Sequence, residues 1–216
     1  FCDLVLGVAL GDLPKLVAPK RFVLFDCNPF SSEEAKAEFD ARCYRTIFAA
    51  DRPDTDFVSV GNSSDVMADR LEIGKAIQTI VAGTKIVRLI DRDDRSAEEI
   101  TDAQAVGVRV LSRRHIESYL ADDEILAALC IVNGNPGAVA AVLAAKQAAI
   151  AASVQRGNPP DDMKSAVGEL YGAIRRILQL VGSGNTVDAF LRDTLAPLVT
   201  PNTNTYCQMR SDIFGV

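Results

Sequence analysis

The chain has a single histidine, His115, so His-rich metal sites are excluded and any Ser-His-Asp mechanism would rest on one residue. No serine occupies a Gly-x-Ser-x-Gly elbow. There is no Cys-x-x-Cys pair. The five cysteines (Cys2, Cys27, Cys43, Cys130 and Cys207) are odd in number and scattered, which argues against a zinc knuckle and for free thiols in a reducing cytoplasm. The phosphate loop Gly-x-x-x-x-Gly-Lys-Ser/Thr is missing, and Gly74-Lys75 lies inside a helical pattern without the preceding glycine. No apolar run approaches the roughly 20 residues of a bilayer span, so no membrane is expected. The Ala-rich stretch Ala138–Ala152 is interrupted by Lys146 and Gln147 and reads as a helix. The opening run Leu4–Leu10 is too short for a targeting helix and sits beside Asp3 and Asp12. The first residue is Phe1 rather than Met, as in a piece of a longer protein. Positive charge is also scarce: a net charge of −6 argues against a protein that coats nucleic acid electrostatically.

What is present is an ordinary globular composition, 48% apolar and 24% charged over 216 residues, enough for one sizeable core. Arg21–Asp26, Asp56–Val60, Ile86–Ile90 and Val108–Ser112 read as short strands, apolar and bounded by polar turns. Between them lie helical patterns: Glu33–Phe48 after a start at Ser32, a long helix from Ser63 or Ser64 to about Ala82 ended by Gly83, and one capped by Ser96 with Glu99 completing a capping box and ending near Gly107. Strand–helix alternation with short loops demands parallel pairing and right-handed crossovers. The expected fold is therefore α/β, a Rossmann-like, mostly parallel four-stranded sheet flanked by helices over residues 1–120, with its core from about 20. From Asp122 the pattern becomes helical only: Asp122–Val132, Gly137–Gln155, Asp161–Val181 and Val187–Leu198, a C-terminal helical subdomain over 121–216.

Acids stand at the strand ends: Asp26 after the first, Asp91 and Asp93 after the third, Glu117 just beyond the fourth. In a parallel sheet these edges point the same way, and ligands bind there. Clustered carboxylates repel unless a cation sits between them, and oxygen-only sites suit Mg²⁺ or Mn²⁺. The bland alternative is that Asp93 and Asp94 cap the following helix. Basic residues crowd the same turn: Lys85, Arg88, Arg92, Arg95, Arg109, Arg113 and Arg114, either a solvated salt-bridged surface or a rim for substrate phosphate.

Phe22-Val-Leu-Phe-Asp26, Phe57-Val-Ser-Val-Gly61 with Asp65-Val66, Leu89-Ile-Asp91-Arg-Asp93-Asp94-Arg95-Ser96 and Val110-Leu-Ser-Arg-Arg-His-Ile-Glu117-Ser-Tyr-Leu120 occur in the order seen in Toprim domains. The chain resembles most the Toprim half of the overcoming-lysogenization-defect (OLD) family and related anti-phage nucleases, from about Asp12 onward and most strongly from Asp56 to Glu124. Gly157-Asn-Pro-Pro-Asp161-Asp162-Met-Lys164 and the segment from Asn202 to Gly215 resemble the tails of such proteins less specifically. The resemblance implies Mg²⁺- or Mn²⁺-dependent cleavage of phosphodiester bonds with two ions, DNA rather than RNA as substrate, an ATPase domain or partner chain, a homodimer, and a place in anti-phage defence. It implies Asp26, Asp91 and Asp93 as catalytic and metal-holding groups, Asp40 (with Glu33, Glu34 and Glu38 as rivals) and Glu117 as further metal ligands, and Lys164 as a catalytic cation; Arg92, Arg95, Arg113 and Arg114 of the basic rim are the candidate substrate-binding residues. One departure is plain: Asp26-Cys27 stands where the family carries Glu-Gly, and an arm one methylene shorter points to the alternative of a weakened interaction module. A strand followed by Asp-x-Asp also opens haloacid-dehalogenase-like phosphohydrolases, with Asp91 as nucleophile and Asp93 as acid–base. There the pair belongs on the first strand, whereas here two strands precede it, and Arg95 replaces a small residue.

Overall fold

The four apolar runs pair into one sheet in the computed structural model, which describes residues 19–26, 39–68, 73–80, 83–181 and 185–215. The strands are β1 (Arg21–Phe25), β2 (Thr55–Ser59), β3 (Lys85–Ile90) and β4 (Val108–Val110). Their order is β2-β1-β3-β4, and all three pairings are parallel. Parallel neighbours need crossovers, supplied by α1 (Phe39–Phe48), by α2 (Ser63–Ala68) with α3 (Ile73–Ile80), and by α4 (Ala97–Ala105). The α/β, Rossmann-like expectation holds, with the sheet entirely parallel. The chain steps outward from β1 to β2, then returns past β1 to build β3. The β1/β3 junction is thus where strand order reverses, the place at which open α/β sheets bind ligands. Asp26 and Asp91 are the first residues beyond those two strands.

The strands' two-residue period divides the sheet between two apolar layers. Leu24, Ile90, Val108 and Val110 pack with Val60, Val66 and Ala103 on one face. Val23, Phe25, Phe57 and Leu89 pack on the other against Tyr44 and Phe48 of α1, and this second layer continues without a break into the helical half as far as Ile213. That half contains α5 (Ile116–Leu120), α6 (Asp123–Val132), α7 (Val139–Gln155), α8 (Met163–Leu178), α9 (Val187–Phe190), which runs on through a π turn and a 3₁₀ turn to Leu198, and α10 (Asn204–Phe214). The two halves share one core.

Several local expectations need correction or limits. Ser96 caps α4 and Glu99 closes the capping box, as expected. Gly107, with φ +77, takes the left-handed turn into β4, a backbone glycine tolerates best. Asn62 rather than Ser63 or Ser64 starts α2: its Oδ1 accepts from Asp65 N–H at 3.0 Å, and the Asp65 carboxylate accepts from Asn62 N–H at 3.2 Å. Of the helix expected over Glu33–Phe48 only Phe39–Phe48 is described; Ser32, Glu33, Glu34, Glu38, Cys2 and Cys27 lie outside the described residues. The stretch Pro136–Gln155 does have the length and mean hydropathy (1.6) of a span, because alanine counts as apolar. Mid-helix Lys146 nevertheless reaches Asp123 at 2.6 Å.

Phe57 is 1% exposed and lies in a stack with Tyr44 (5.2 Å) and Phe48 (5.7 Å). Phe57→Ala is expected to destabilise the fold by about 3–5 kcal/mol in urea unfolding. A loss below about 1 kcal/mol would mean that this aromatic layer does not anchor α1 to the sheet.

Candidate metal centre

The β1/β3 crevice is bridged by one hydrogen bond: Asp91 N–H donates to Asp26 Oδ1 at 3.1 Å. Burial pushes the Asp26 carboxyl up to about 6. The Asp91 bond, its own backbone N–H and Arg95 hold it down in part, while Asp93 pushes it further up. Asp91 is raised well above the usual carboxylate range, first by burial and then by four acids: Asp26, Asp40, Glu117 and Asp93. Those are the other four acids that the sequence nominates as metal ligands. They arrive from separate elements: the ends of β1 and β3, the first turn of α1 and the first turn of α5. Tyr44, 2% exposed, is raised by burial and then by Asp91 and Asp40, with smaller pushes from Tyr119 and Asp26, so its phenol stays protonated.

The Asp-x-Asp turn is tight. Asp93 takes φ +46, a left-handed conformation that aspartate tolerates better than most side chains. Neither Asp93 nor Asp94 supplies the cap of α4, since Ser96 does. The capping explanation is therefore set aside, and Asp94 pairs instead with Arg114 at 2.5 Å.

The four nominated arginines have separate fates. Arg95 donates to the Asp91 carbonyl at 2.6 Å and reaches the Asp93 carboxylate at 3.4 Å, which fixes the turn. Arg92 and Arg114 both bind Asp161, from the loop before α8. Arg113 donates to Asp122 (2.6 Å), the Ser118 carbonyl (2.9 Å) and Gln208 (2.9 Å), and lies over the Tyr119 ring at 4.8 Å. It ties α5 to α6 and α10. Lys164, in the first turn of α8, brings its ammonium to 4.0 Å from Glu117 Oε1.

Three residues of this neighbourhood were given no role from sequence. The buried His115 ring lies between two carboxylates, with Nδ1 3.3 Å from Glu117 Oε2 and Nε2 3.1 Å from Asp162 Oδ1. Asp162 also caps α8 through Ser165 N–H at 3.1 Å. Asp161, beside it, holds the arginine pair. The adjacency of Asp161-Asp162 to Lys164 was the available signal; that the acids face His115 and the arginines is a tertiary fact.

Among the described residues no three Asp, Glu, His or Cys side chains form a ready cation cage. The donor set still fits a hard divalent cation. It is all oxygen, Asp26, Asp40, Glu117 and Asp93 each push the Asp91 carboxyl further up, and Mg²⁺ completes its shell with water rather than needing an all-protein cage. No protein family, curated protein or solved structure matches this chain.

Asp26 supplies a test of this electrostatic strain. Its folded pKa of about 6 lies above the ordinary 3.8, so the folded chain holds the proton more tightly than the unfolded chain. The resulting stability is complete below the unfolded value and is lost as pH rises through the folded one. Without divalent metal, Asp26→Asn should therefore stabilise the chain at pH 8, by up to about 2–3 kcal/mol, and change little at pH 3. Chemical denaturation at both pH values checks this; equal effects at both would mean that Asp26 is not strained.

Proposed function

We propose that the chain is a divalent-metal-dependent nuclease of the Toprim type, cleaving phosphodiester bonds in DNA. The observation that carries the reading is the half-buried Asp91 at the sheet's switch point, tied to Asp26 by its backbone N–H and with its carboxyl pushed up by burial and then by Asp26, Asp40, Glu117 and Asp93. Mutual repulsion disfavours such a group without a counter-ion. Asp26 and Asp91 would hold Mg²⁺ or Mn²⁺ in a shell completed by water, with Asp40, Asp93 and Glu117 as the further acids around it. Two such ions, when bound, would supply an acidified water and an electrophile for the phosphate. The chain's own groups do the remaining work. Arg95 fixes the turn that presents Asp91 and Asp93. Lys164 places a positive charge beside Glu117, where it can offset charge developing on the phosphate. No serine or histidine nucleophile is needed. The dehalogenase-like alternative asks for the Asp-x-Asp pair on the first strand of the sheet, whereas here it follows β3, after β1 and β2. Cytoplasmic location, an ATPase partner, a homodimer and a role in anti-phage defence belong to the same proposal.

Incubation with supercoiled plasmid in Mg²⁺ or Mn²⁺ should give nicked product that EDTA abolishes. Asp91→Asn should lower the rate by at least about a hundredfold while leaving the fold intact by circular dichroism. Nicking that survives Asp91→Asn would belong to another site. Asp26→Glu should raise the rate if the shorter arm limits the reaction. Complete inactivity of both would favour the weakened interaction module.

A further inference from the structure

Arg92 and Arg114 come from different strand ends and share one carboxylate. Asp161 divides its oxygens between them: Oδ2 takes an Arg92 terminal nitrogen and Oδ1 takes Arg114 at 3.3 Å. Arg114 is 9% exposed, and its backbone carbonyl accepts from Asp93 N–H at 3.1 Å, which fixes the pair beside the acid turn. Asp161 is half exposed and sits on the loop between α7 and α8. The arrangement leaves one donor unsatisfied: Arg92 Nε is buried and has no hydrogen-bond partner. Each Asp161 oxygen is held by one terminal guanidinium nitrogen, and neither reaches Arg92 Nε. The two non-bridging oxygens of a phosphodiester are set at a tetrahedral angle, so one can engage Arg114 while the other meets the Nε and terminal nitrogen of Arg92, the two-pronged edge that guanidinium presents.

We propose that Arg92 and Arg114 form a seat for a nucleic-acid backbone phosphate flanking the acid cluster, and that Asp161 is its internal stand-in, which the phosphate displaces. This rests on the nuclease reading and adds to it the site's substrate contact and a built-in restraint. The electrostatics support it. The chain is acidic overall, and the arginines nearest the acids are taken up by Asp93, Asp94 and Asp161, so a strand can dock there only if one such acid gives way. Of the three, Asp161 is the one contributed by the helical half and the one that bridges both arginines.

Fluorescence anisotropy with a labelled single-stranded oligodeoxynucleotide, in EDTA, tests the seat. Asp161→Asn should bind about tenfold more tightly than the unaltered chain, the size of one charge-assisted contact released. Asp102→Asn, an equal loss of charge on exposed α4, should not. Adding Arg92→Ala to Asp161→Asn should remove the gain. Equal binding by the two Asn variants, or a gain that survives Arg92→Ala, overturns the proposal. Should Asp161→Asn fail to fold, hydrogen exchange on the unaltered chain decides. The oligonucleotide should speed exchange at the Asp162 and Met163 amides, which bond to Pro159 and Asp161 carbonyls, and undiminished protection there also overturns it. Because binding is read without metal, a chain that cleaves nothing can still pass or fail this test.

Discussion

Carboxylates gathered at a partly buried strand edge repel one another and resist ionisation, and this constraint bears on the β1/β3 crevice. A parallel sheet whose order reverses at β1 brings two carboxyl edges side by side, and Asp26 and Asp91 occupy them. The sheet cannot relieve the conflict by moving them, because Phe25 and Leu89, directly before those edges, are fixed in register and in the core. The remaining outlets are protonation, a nearby cation or a bound ion. The upward shifts of Asp26 and Asp91 favour the first. Arg95 and Lys164 offset part of the charge. A bound ion is the outlet on which the proposed chemistry depends.

The helical half completes this centre rather than standing apart from it. Its core is continuous with one face of the sheet, and its contacts with the site are concentrated in a few residues at the start of α8. Asp162 closes His115 against Glu117, Asp161 joins Arg92 to Arg114, and Lys164 approaches Glu117. Cap, ion pair and candidate substrate contact therefore all depend on one short loop. Tyr119 and Asp212 make a comparable tie at the other side, where the phenol donates to the carboxylate at 2.5 Å and holds α10 to the strand-end loop.

The sheet was legible because short apolar runs closed by acids have few other uses, and the alternation of strand and helix leaves only parallel pairing. Ser96 and Glu99 marked α4 because a capping box is a purely local device. Asp26, Asp91, Asp93 and Glu117 could be nominated from their positions at strand ends, but that Asp26, Asp40, Glu117 and Asp93 all bear on Asp91 required the strand order β2-β1-β3-β4, which no local pattern encodes. The arginines show where sequence reading stops. Arg92, Arg95, Arg113 and Arg114 look alike in the chain, yet Arg113 braces helices, Arg95 braces the turn, and only Arg92 and Arg114 share an acid. Helix α10 is not legible because its sequence is polar on balance, with Tyr206, Met209 and Ile213 in the core and Thr205 buried beside them.

The central claim is that the acid cluster is built to receive a divalent cation. Titration calorimetry with Mn²⁺ near pH 6, repeated in two buffers of different ionisation enthalpy, measures both binding and the protons that accompany it. The account predicts saturable binding that releases protons, as Asp26 and Asp91 ionise to take the metal, and its loss in Asp91→Asn. Absence of binding, or binding with no proton release that persists in Asp91→Asn, would contradict it.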